Sequence, residues 1–357
     1  MSFLLAFLGF AVLIVLHELG HFAAAKAVGM RVERFALFFP PLLARRQRGE
    51  TEYAIGAVPL GGYVKITGMN PAEEIPPEHA HRAYFRQPVW KRIVVIAAGP
   101  AVNIVLAFLI LWVLIWANGI SQPTTTVETV DPKLPAAGVL QKGDRIVSVD
   151  GKSGDTRVIS EQIGSHKCPG EPTAGCRAAE PATVVFERAG TVRTERVAPV
   201  YDPIEDRTRL GFGFATEPLS VGPARAADVS LNFMWFVTSS TVKVIGGIFE
   251  AEKRKQISGV VGSYEVTRQA IELDLELAVR LLAVISLSLG VINLFPFLPL
   301  DGGHIFWALA EKLRGKAIPF SVMERAGFVG FALVMILFVI GLSNDIGRLT
   351  GEGFDVR

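Results

Sequence analysis

Long runs of apolar positions interrupt the polar sequence four times. Ser2 to Ala25 contains one formally charged residue, Glu18, and three later runs contain none: Ile93 to Ala117, Leu281 to Leu300 and Ala326 to Asn344. A helix that crosses a hydrocarbon core about 30 Å thick needs about 20 predominantly apolar residues. The pattern therefore predicts four transmembrane helices.

Two of these runs allow another interpretation. An apolar N-terminus is also typical of a cleaved signal peptide, but this one lacks a preceding basic segment, and cleavage near Ala23 to Ala25 would remove the most informative polar residues. The fourth run has only 19 residues and could be a buried core helix, although its bulky side chains favour a span. We expect both runs to be retained as spans.

The basic residues predict an orientation. The connection 26–92 contains 11 Lys and Arg against 6 Asp and Glu, and Lys91 and Arg92 directly precede the second run. After that run, no charged residue occurs before Glu128. Because loops rich in Lys and Arg stay in the cytoplasm, we expect residues 26–92 there and the long middle region, with both termini, on the other side.

Composition narrows the class of protein further. The chain has 357 residues, of which 50% are hydrophobic and 20% charged, against about 25% charged residues in soluble domains. The net charge of +2 gives no sign of a nucleic-acid partner. Cys168 and Cys176 leave two possibilities open, a disulfide in an oxidising compartment or two thiols in the cytoplasm.

His17, Glu18 and His21 form the pattern H-E-x-x-H inside the first run. On a helix, positions i and i+4 lie on one face about 6 Å apart along the axis. Two imidazoles there can bind one tetrahedral Zn²⁺, and the glutamate can act as general base towards a water molecule. Such spacing also arises by chance on solvated helix faces, but ionisable residues inside an apolar span are costly and indicate a functional site.

A third ligand is expected from the end of the third run. Pro296 and Pro299 cannot continue a regular helix, so a broken backbone is expected there. Asp301 follows at once, and the expected orientation brings it to the same membrane face as the two histidines. Asp301 could instead be a turn residue before two glycines, and His304 could compete with it as the ligand; we favour Asp301.

These motifs resemble those of a known family. With H-E-L-G-H in the first run and N-L-F-P-F-L-P-L-D-G-G-H in the third, the chain resembles the site-2 protease family of intramembrane zinc metalloproteases, and within it the bacterial regulator of sigma-E protease branch, over nearly its whole length. Ala98 to Asn103 resembles the second-span signature of that family. Tyr53 to Gly68 resembles its membrane-dipping β-hairpin, with strands on either side of Gly61 and Gly62.

The resemblance implies residue roles. It implies Zn²⁺ as the cofactor, with the catalytic base Glu18 and the ligands His17, His21 and Asp301. It also implies that Asn293 contacts the substrate backbone or supports the oxyanion. An exposed strand edge beside the zinc could pair with an unwound substrate, which makes Gly61, Gly62 and Tyr63 candidate substrate-binding residues; an ordinary cytoplasmic hairpin is the alternative.

The middle of the chain, from Thr125 to about Tyr201, contains short β-rich segments separated by turns. Pro135 to Gly138 and Lys142 to Gly151 resemble a PDZ domain, which this family carries between its second and third spans. PDZ domains bind extended peptides or chain termini. The available length accommodates one copy.

The expected fold is a polytopic α-helical membrane protein with four transmembrane helices, a membrane-associated β-hairpin and an inserted extracytoplasmic β-rich PDZ domain. The expected divisions are 1–117 for the first two spans and the hairpin loop, 118–217 for the PDZ domain, 218–276 for an amphipathic membrane-surface region, and 277–357 for the last two spans with the ligand motif.

The resemblance implies an enzyme of the bacterial inner membrane, with its active site near the cytoplasmic face. It would cleave transmembrane segments of single-pass proteins, such as anti-sigma factors or signal-peptide remnants, after their ectodomains have been trimmed. Its partners would be those substrates, the lipid bilayer and a peptide or chain terminus at the PDZ groove. The alternatives are a non-enzymatic membrane-bound PDZ adaptor and a zinc transporter, but the intact ligand set disfavours the first, and its clustering at one membrane face disfavours the second.

Overall fold

The computed structural model describes residues 1–70, 73–203, 205–247, 250, 254 and 257–351. Parts of each expected division therefore lie outside the described residues: 71–72, 204, 248–249, 251–253, 255–256 and 352–357. The chain divides into two compact units, one formed by residues 117–221 and the other by residues 1–116 together with 222–357. The extent of the predicted divisions remains a prediction.

The α-helices follow one another along the chain as α1 Ser2–Ala27, α2 Val89–Asn118, α3 Thr156–Gly164, α4 Pro223–Gly246, α5 Val260–Leu273, α6 Leu275–Asn293, α7 Asp301–Arg314 and α8 Phe320–Thr350. Within the described residues, α1, α2, α6 and α8 are long and apolar enough to cross a membrane. The chain is thus a multi-pass membrane protein, with the four spans expected from the apolar runs. Short 3-10 helices cover Pro77–Arg82, Tyr84–Arg86 and Pro135–Gly138.

The strands are β1 Val32–Arg48, β2 Thr51–Ile66, β3 Ile120–Val130, β4 Arg145–Val149, β5 Ala182–Arg188, β6 Thr191–Val197, β7 Val200–Asp202, β8 Arg207–Arg209 and β9 Phe212–Leu219. The first two form a long hairpin that belongs to the larger unit. The remaining strands lie in the smaller unit.

The third apolar run forms the greater part of one helix and the turn that follows it. Asp274 accepts a hydrogen bond from the backbone amide of Glu276 at 3.0 Å and so caps the start of α6, because an N-cap carboxylate satisfies an amide that lacks an intrahelical partner. The helix ends at Asn293, before the two prolines, as the sequence predicts. After a turn over 294–300, α7 begins at Asp301.

The hairpin pairs differently from the prediction. Phe35 in the first half of β1 lies opposite Val64 on one side and Tyr53 on the other, whereas Ala44 in the second half lies opposite Ile55. One turn falls after Arg48, and β2 itself reverses direction between Val58 and Gly62, because its two halves lie on opposite sides of the first half of β1. The predicted reversal next to Gly61 and Gly62 is therefore confirmed, but the two predicted strands do not pair with each other, because the first half of β1 inserts between them.

An ion-pair cluster anchors the base of the hairpin. Glu50 accepts hydrogen bonds from Arg82 at 2.6 Å and from Lys26 at 2.5 Å. The hydrogen bond from Arg82 lowers the pKa of Glu50 to about 2. This ionised carboxylate therefore links the hairpin turn to the end of α1 and to the short helix before α2.

The smaller unit has its own core. Its five-stranded sheet has the order β6-β5-β4-β3-β9, and its buried apolar cluster includes Val127, Ile146, Ile159, Phe186 and Leu210. Asp155 caps α3 by accepting from the backbone amide of Val158. Cys168 and Cys176, whose pairing the sequence leaves open, form a disulfide in this structure.

In the larger unit, small residues bring the helices together near the centre of the apolar spans. Gly290 of α6 packs against α2, where an added Cβ would lie 3.0 Å from the Pro100 carbonyl oxygen. Ser286, one turn earlier, donates from its hydroxyl to the Asn103 carbonyl oxygen at 3.0 Å. These contacts hold α6 against α2. The membrane-surface location expected for residues 218–276 stays a prediction.

Candidate metal centre

The first helix carries two buried histidines on one face. His17 and His21 are each 7% exposed, and their ring centroids lie 4.9 Å apart in an edge-to-face arrangement. Their i, i+4 spacing accounts for this arrangement, because residues one turn apart on a helix lie above one another. Glu18 follows His17 and is partly buried.

Asp301 reaches the same place from the start of α7. The preceding turn over 294–300 folds tightly back on this helix, since an added Cβ at Gly302 would collide with the carbonyl group of Leu294. Glycine at that position thus lets the turn close and places the Asp301 carboxylate next to the histidine face. The side chain of Asp301 is 18% exposed.

Three ligand atoms form a nearly equilateral triangle. His17 Nε2 lies 3.2 Å from His21 Nε2, and each of these nitrogens lies 3.3 Å from Asp301 Oδ2. Ligands about 2.0–2.1 Å from a tetrahedral Zn²⁺ are about 3.3–3.4 Å apart, as the tetrahedral angle requires. The spacing therefore fits one tetrahedral ion.

The hydrogen-bond pattern leads to the same conclusion. Asp301 Oδ2 is buried and has no hydrogen-bond donor among the described residues. His21 Nδ1 lies 2.9 Å from the backbone oxygen of Val95, an acceptor, so this nitrogen carries the proton and Nε2 presents a lone pair. Lone pairs that face one another in a buried site repel unless a cation lies between them, so these residues fit a divalent metal ion.

Helix α2 supports the site in a way that sequence reasoning missed. It supplies the Val95 carbonyl to His21, and Gly99 lets the His21 ring pack against the helix, because an added Cβ would collide with that ring. The carboxamide of Asn103 lies 3.3 Å from His17 Nδ1. Asn103 could have been found as a polar residue within a charge-free span. The sequence does not indicate which backbone carbonyl contacts a histidine.

The hairpin lies against the proposed catalytic base. An added Cβ at Gly62 would lie 2.8 Å from Glu18 Cγ, and the backbone amide of Val64 faces the Glu18 carboxylate. Tyr63 lies on the other face of the strand, where its hydroxyl accepts from Arg34 at 3.1 Å. Gly61 packs against the Phe39 ring. Of the three hairpin residues predicted to contact substrate, Gly62 is the one that contacts Glu18.

Two further candidates lie outside the triangle. Asn293 is the last residue of α6, and its partly exposed side chain makes no hydrogen bond to the residues that the structure describes. His304, one turn after Asp301, does not belong to the group of three converging ligand atoms. The geometry thus favours Asp301 over His304 as the third ligand.

A partly buried ion pair holds α7 against α2. Arg92 donates two hydrogen bonds to the Glu311 carboxylate, at 2.7 and 3.0 Å, and its guanidinium lies 6.0 Å from the centroid of the Tyr84 ring. Burial raises the pKa of the Tyr84 phenol, which is therefore neutral at pH 7. The helix that begins with Asp301 is fixed to the helix that supports both histidines.

Comparison with known proteins gives a consistent picture. The family described as Peptidase family M50 matches residues 5–337. A protein of Rhizobium meliloti (strain 1021), described as a candidate zinc metalloprotease, is 31% identical over 95% of this chain and 94% of its own length. Similarly described proteins of Clostridium acetobutylicum and Nostoc sp. are each 30% identical; the match covers 97% of both chains in the first case, and 99% of this chain and 98% of the relative in the second.

Among solved structures, the PDZ domain of the SdrC-like protein from Listeria innocua is similar to part of this chain. The match covers 26% of this chain and 92% of that domain, with 18% identity and a TM-score of 0.22. The corresponding domain from Listeria monocytogenes covers 27% of this chain, with a TM-score of 0.21.

Proposed function

Because this chain belongs to peptidase family M50, we propose that it is an intramembrane zinc endopeptidase that hydrolyses peptide bonds in transmembrane segments of single-pass membrane proteins. The observation that carries the proposal is the triangle of His17, His21 and Asp301. Both histidines, with Glu18 between them, lie on a helix apolar enough to cross a membrane. A buried, metal-compatible set next to a carboxylate is the minimum that metal-assisted peptide hydrolysis requires.

In this proposal each residue of the site has a separate role in the reaction. A bound Zn²⁺ would supply a water molecule of lowered pKa and would polarise the substrate carbonyl. Glu18 takes a proton from the attacking water and delivers it to the leaving amine. Its contact with Gly62 limits its movement and keeps it beside the ligands. Asn293, with its uncommitted carboxamide, is the candidate donor to the developing oxyanion.

The hairpin edge is the proposed place for the substrate. A transmembrane helix hides its peptide bonds in its own hydrogen bonds, so cleavage requires an extended segment. Residues 62–66 pair with β1 on one side, and among the described residues no strand pairs with their other edge. An extended substrate can add to that edge by backbone hydrogen bonds, which places its peptide bonds next to Glu18.

The sidedness of the membrane is also part of the proposal. The excess of basic residues in 26–92 supports a cytoplasmic location for this loop and for the site. The unit of residues 117–221 would then lie outside the cytoplasm, where a peptide-binding PDZ domain could exclude substrates whose ectodomains have not been shortened. The disulfide between Cys168 and Cys176 is compatible with that compartment.

The experiment is cleavage of a single-pass reporter in vesicles by purified protein, with Glu18→Gln as the test variant and Glu324→Gln as the matched control. Glu324 is exposed on α8 and is not one of the site residues. We expect Glu18→Gln to keep one zinc per chain and to lose about 10²–10⁴-fold in cleavage rate, the range for general acid-base catalysis. The control variant should cleave normally. Cleavage by Glu18→Gln at the normal rate would contradict the proposal.

A further inference from the structure

Asn103 is a polar residue at a position where burial of its side chain costs free energy. It lies in the middle of α2, within the 25 residues from Ile93 to Ala117 that contain no charge, and it is 0% exposed. A carboxamide buried without hydrogen bonds costs several kcal/mol in an apolar environment. Polar residues inside membrane spans are therefore retained where they have a partner or a function.

One end of this carboxamide has a partner, and the other has none. As placed, Nδ2 lies 3.3 Å from His17 Nδ1, and Oδ1 is buried with no hydrogen-bond donor among the described residues. The oxygen and nitrogen of a carboxamide have nearly the same shape, so their assignment follows from the hydrogen bonds they can make. Exchanging them puts the oxygen next to His17 Nδ1.

The metal triangle decides between the two assignments. His17 Nε2 is one of its three corners, so that nitrogen must carry a lone pair to bind a cation. The proton of the neutral imidazole then lies on Nδ1, which becomes a donor and needs an acceptor. The oxygen of Asn103 is the group in position to accept it. His21 has the same arrangement, with the Val95 carbonyl as its acceptor.

We propose that Asn103 is a positioning residue: its side-chain oxygen accepts from His17 Nδ1, holds the imidazole in the tautomer that presents Nε2, and thereby sets the affinity of the site for a divalent cation. Ligand histidines are commonly held by such an acceptor, and its loss costs about 10–100-fold in metal affinity. The inference rests on the proposed zinc site, but it concerns metal binding rather than peptide cleavage.

The test is the apparent affinity of the purified full-length protein for Zn²⁺, measured by competition with a chromophoric chelator. Asn103→Leu keeps the approximate volume and removes the acceptor, and we expect binding about 10–100-fold weaker. Asn103→Asp keeps an acceptor oxygen and should stay within about threefold of the wild-type protein, since carboxylates serve the same role towards ligand histidines. Ser286→Ala is the control, because it removes a hydrogen bond to the Asn103 backbone and leaves the side chain intact.

Two results would overturn the inference. One is wild-type affinity in Asn103→Leu; the other is equal weakening in the Leu and Asp variants, which would indicate a packing role. Histidine ¹⁵N spectra of the wild-type protein with zinc provide a second measurement that needs no variant. They should show His17 protonated at Nδ1 and bound through Nε2, and binding through Nδ1 would exclude the proposed contact.

The outcomes also separate this inference from the proposed function. If Asn103→Leu weakens zinc binding but Glu18→Gln cleaves the reporter normally, the positioning role stands and the protease mechanism fails. If Glu18→Gln is inactive but Asn103→Leu binds zinc as the wild-type protein does, the protease mechanism stands and the positioning role of Asn103 fails.

Discussion

Asp301 and Asp345 are both carboxylates drawn into the helical unit, and their surroundings differ in kind. The Asp301 oxygen that faces His17 and His21 lies 3.3 Å from each ligand nitrogen and has no hydrogen-bond donor among the described residues. It is buried next to imidazole nitrogens whose lone pairs, like its own, carry partial negative charge. Such an arrangement is stable only when a cation, or added protons, fills the space between them.

Asp345 on α8 is 0% exposed and is surrounded by donors. Its carboxylate accepts from the backbone amides of Gly259 and Gly262 at 3.1 and 2.7 Å, and from the Ser258 hydroxyl at 3.2 Å. The two amides are free backbone groups at the start of α5, whose own N-cap residue is a glycine without a side chain. Asp345 therefore caps that helix from a distant part of the chain.

The difference separates two uses of a buried acid. Where the backbone satisfies the carboxylate, the residue contributes to the fold, and its loss should lower stability without affecting metal binding. Where the carboxylate faces other lone pairs, the residue contributes little to the fold and should be needed for the metal. The following experiments test that division, beginning with the largest effect.

Metal removal should abolish activity and leave the cap at Asp345 intact. After treatment with a strong chelator, we expect reporter cleavage to fall at least about 10³-fold, since metal-assisted hydrolysis has no substitute in the site, and to return with added Zn²⁺. Hydrogen exchange at the Gly259 and Gly262 amides should stay slow throughout. Cleavage that survives chelation would show that the triangle is not the catalytic centre.

Removal of the cap should do the opposite. Asp345→Ala leaves two amides of α5 without their acceptor, and hydrogen bonds to a charged group contribute about 1.5–3 kcal/mol each. We expect the free energy of unfolding in detergent to fall by about 3–6 kcal/mol, with one zinc per chain retained. Asp345→Asn keeps one acceptor oxygen and should lose about half as much. Loss of zinc in either variant would contradict the distinction between a carboxylate that stabilises the fold and one that binds the metal.

The pair of Arg92 and Glu311 should behave as an intermediate case, because it stabilises the fold and also fixes the helix that begins with Asp301. Glu311 is 27% exposed, so the loss expected for Arg92→Met is about 1–3 kcal/mol, below that for fully buried pairs. Zinc affinity measured by chelator competition should fall several-fold as well. Arg92→Lys keeps the charge but loses the bidentate contact. Its stability and its zinc affinity should lie between those of the wild-type protein and those of Arg92→Met. A stability loss with unchanged zinc affinity would show that this pair, like Asp345, stabilises the fold without contributing to metal binding.

Much of the helical architecture could be predicted because it follows from local composition. The run from Ile93 to Ala117 lies within α2, which extends beyond it to Val89 and Asn118 since a helix can continue past the hydrocarbon core. The i, i+4 histidines and the break after Asn293 likewise follow from nearby residues. The proximity of Asp301 to the two histidines could be predicted because the expected orientation of two spans brought it to the same membrane face.

Contacts between distant segments could not be predicted. The stretch from Ser258 to Gly262 gave no expectation, because its role depends on Asp345, more than 80 residues later. The double pairing of β1 arises from the bending of two long strands, which alternation alone does not specify. The Val95 carbonyl is a backbone group, and its contact with His21 depends on how closely α1 and α2 approach at Gly99.

The most direct measurement is zinc content per chain in the purified wild-type protein and in Asp301→Ala. If three lone-pair atoms hold one tetrahedral ion, the wild-type protein should contain one zinc per chain and the variant close to none, with little change in the unfolding midpoint of the metal-free forms. Unchanged zinc content in Asp301→Ala would remove this residue from the ligand set and contradict the account of the site.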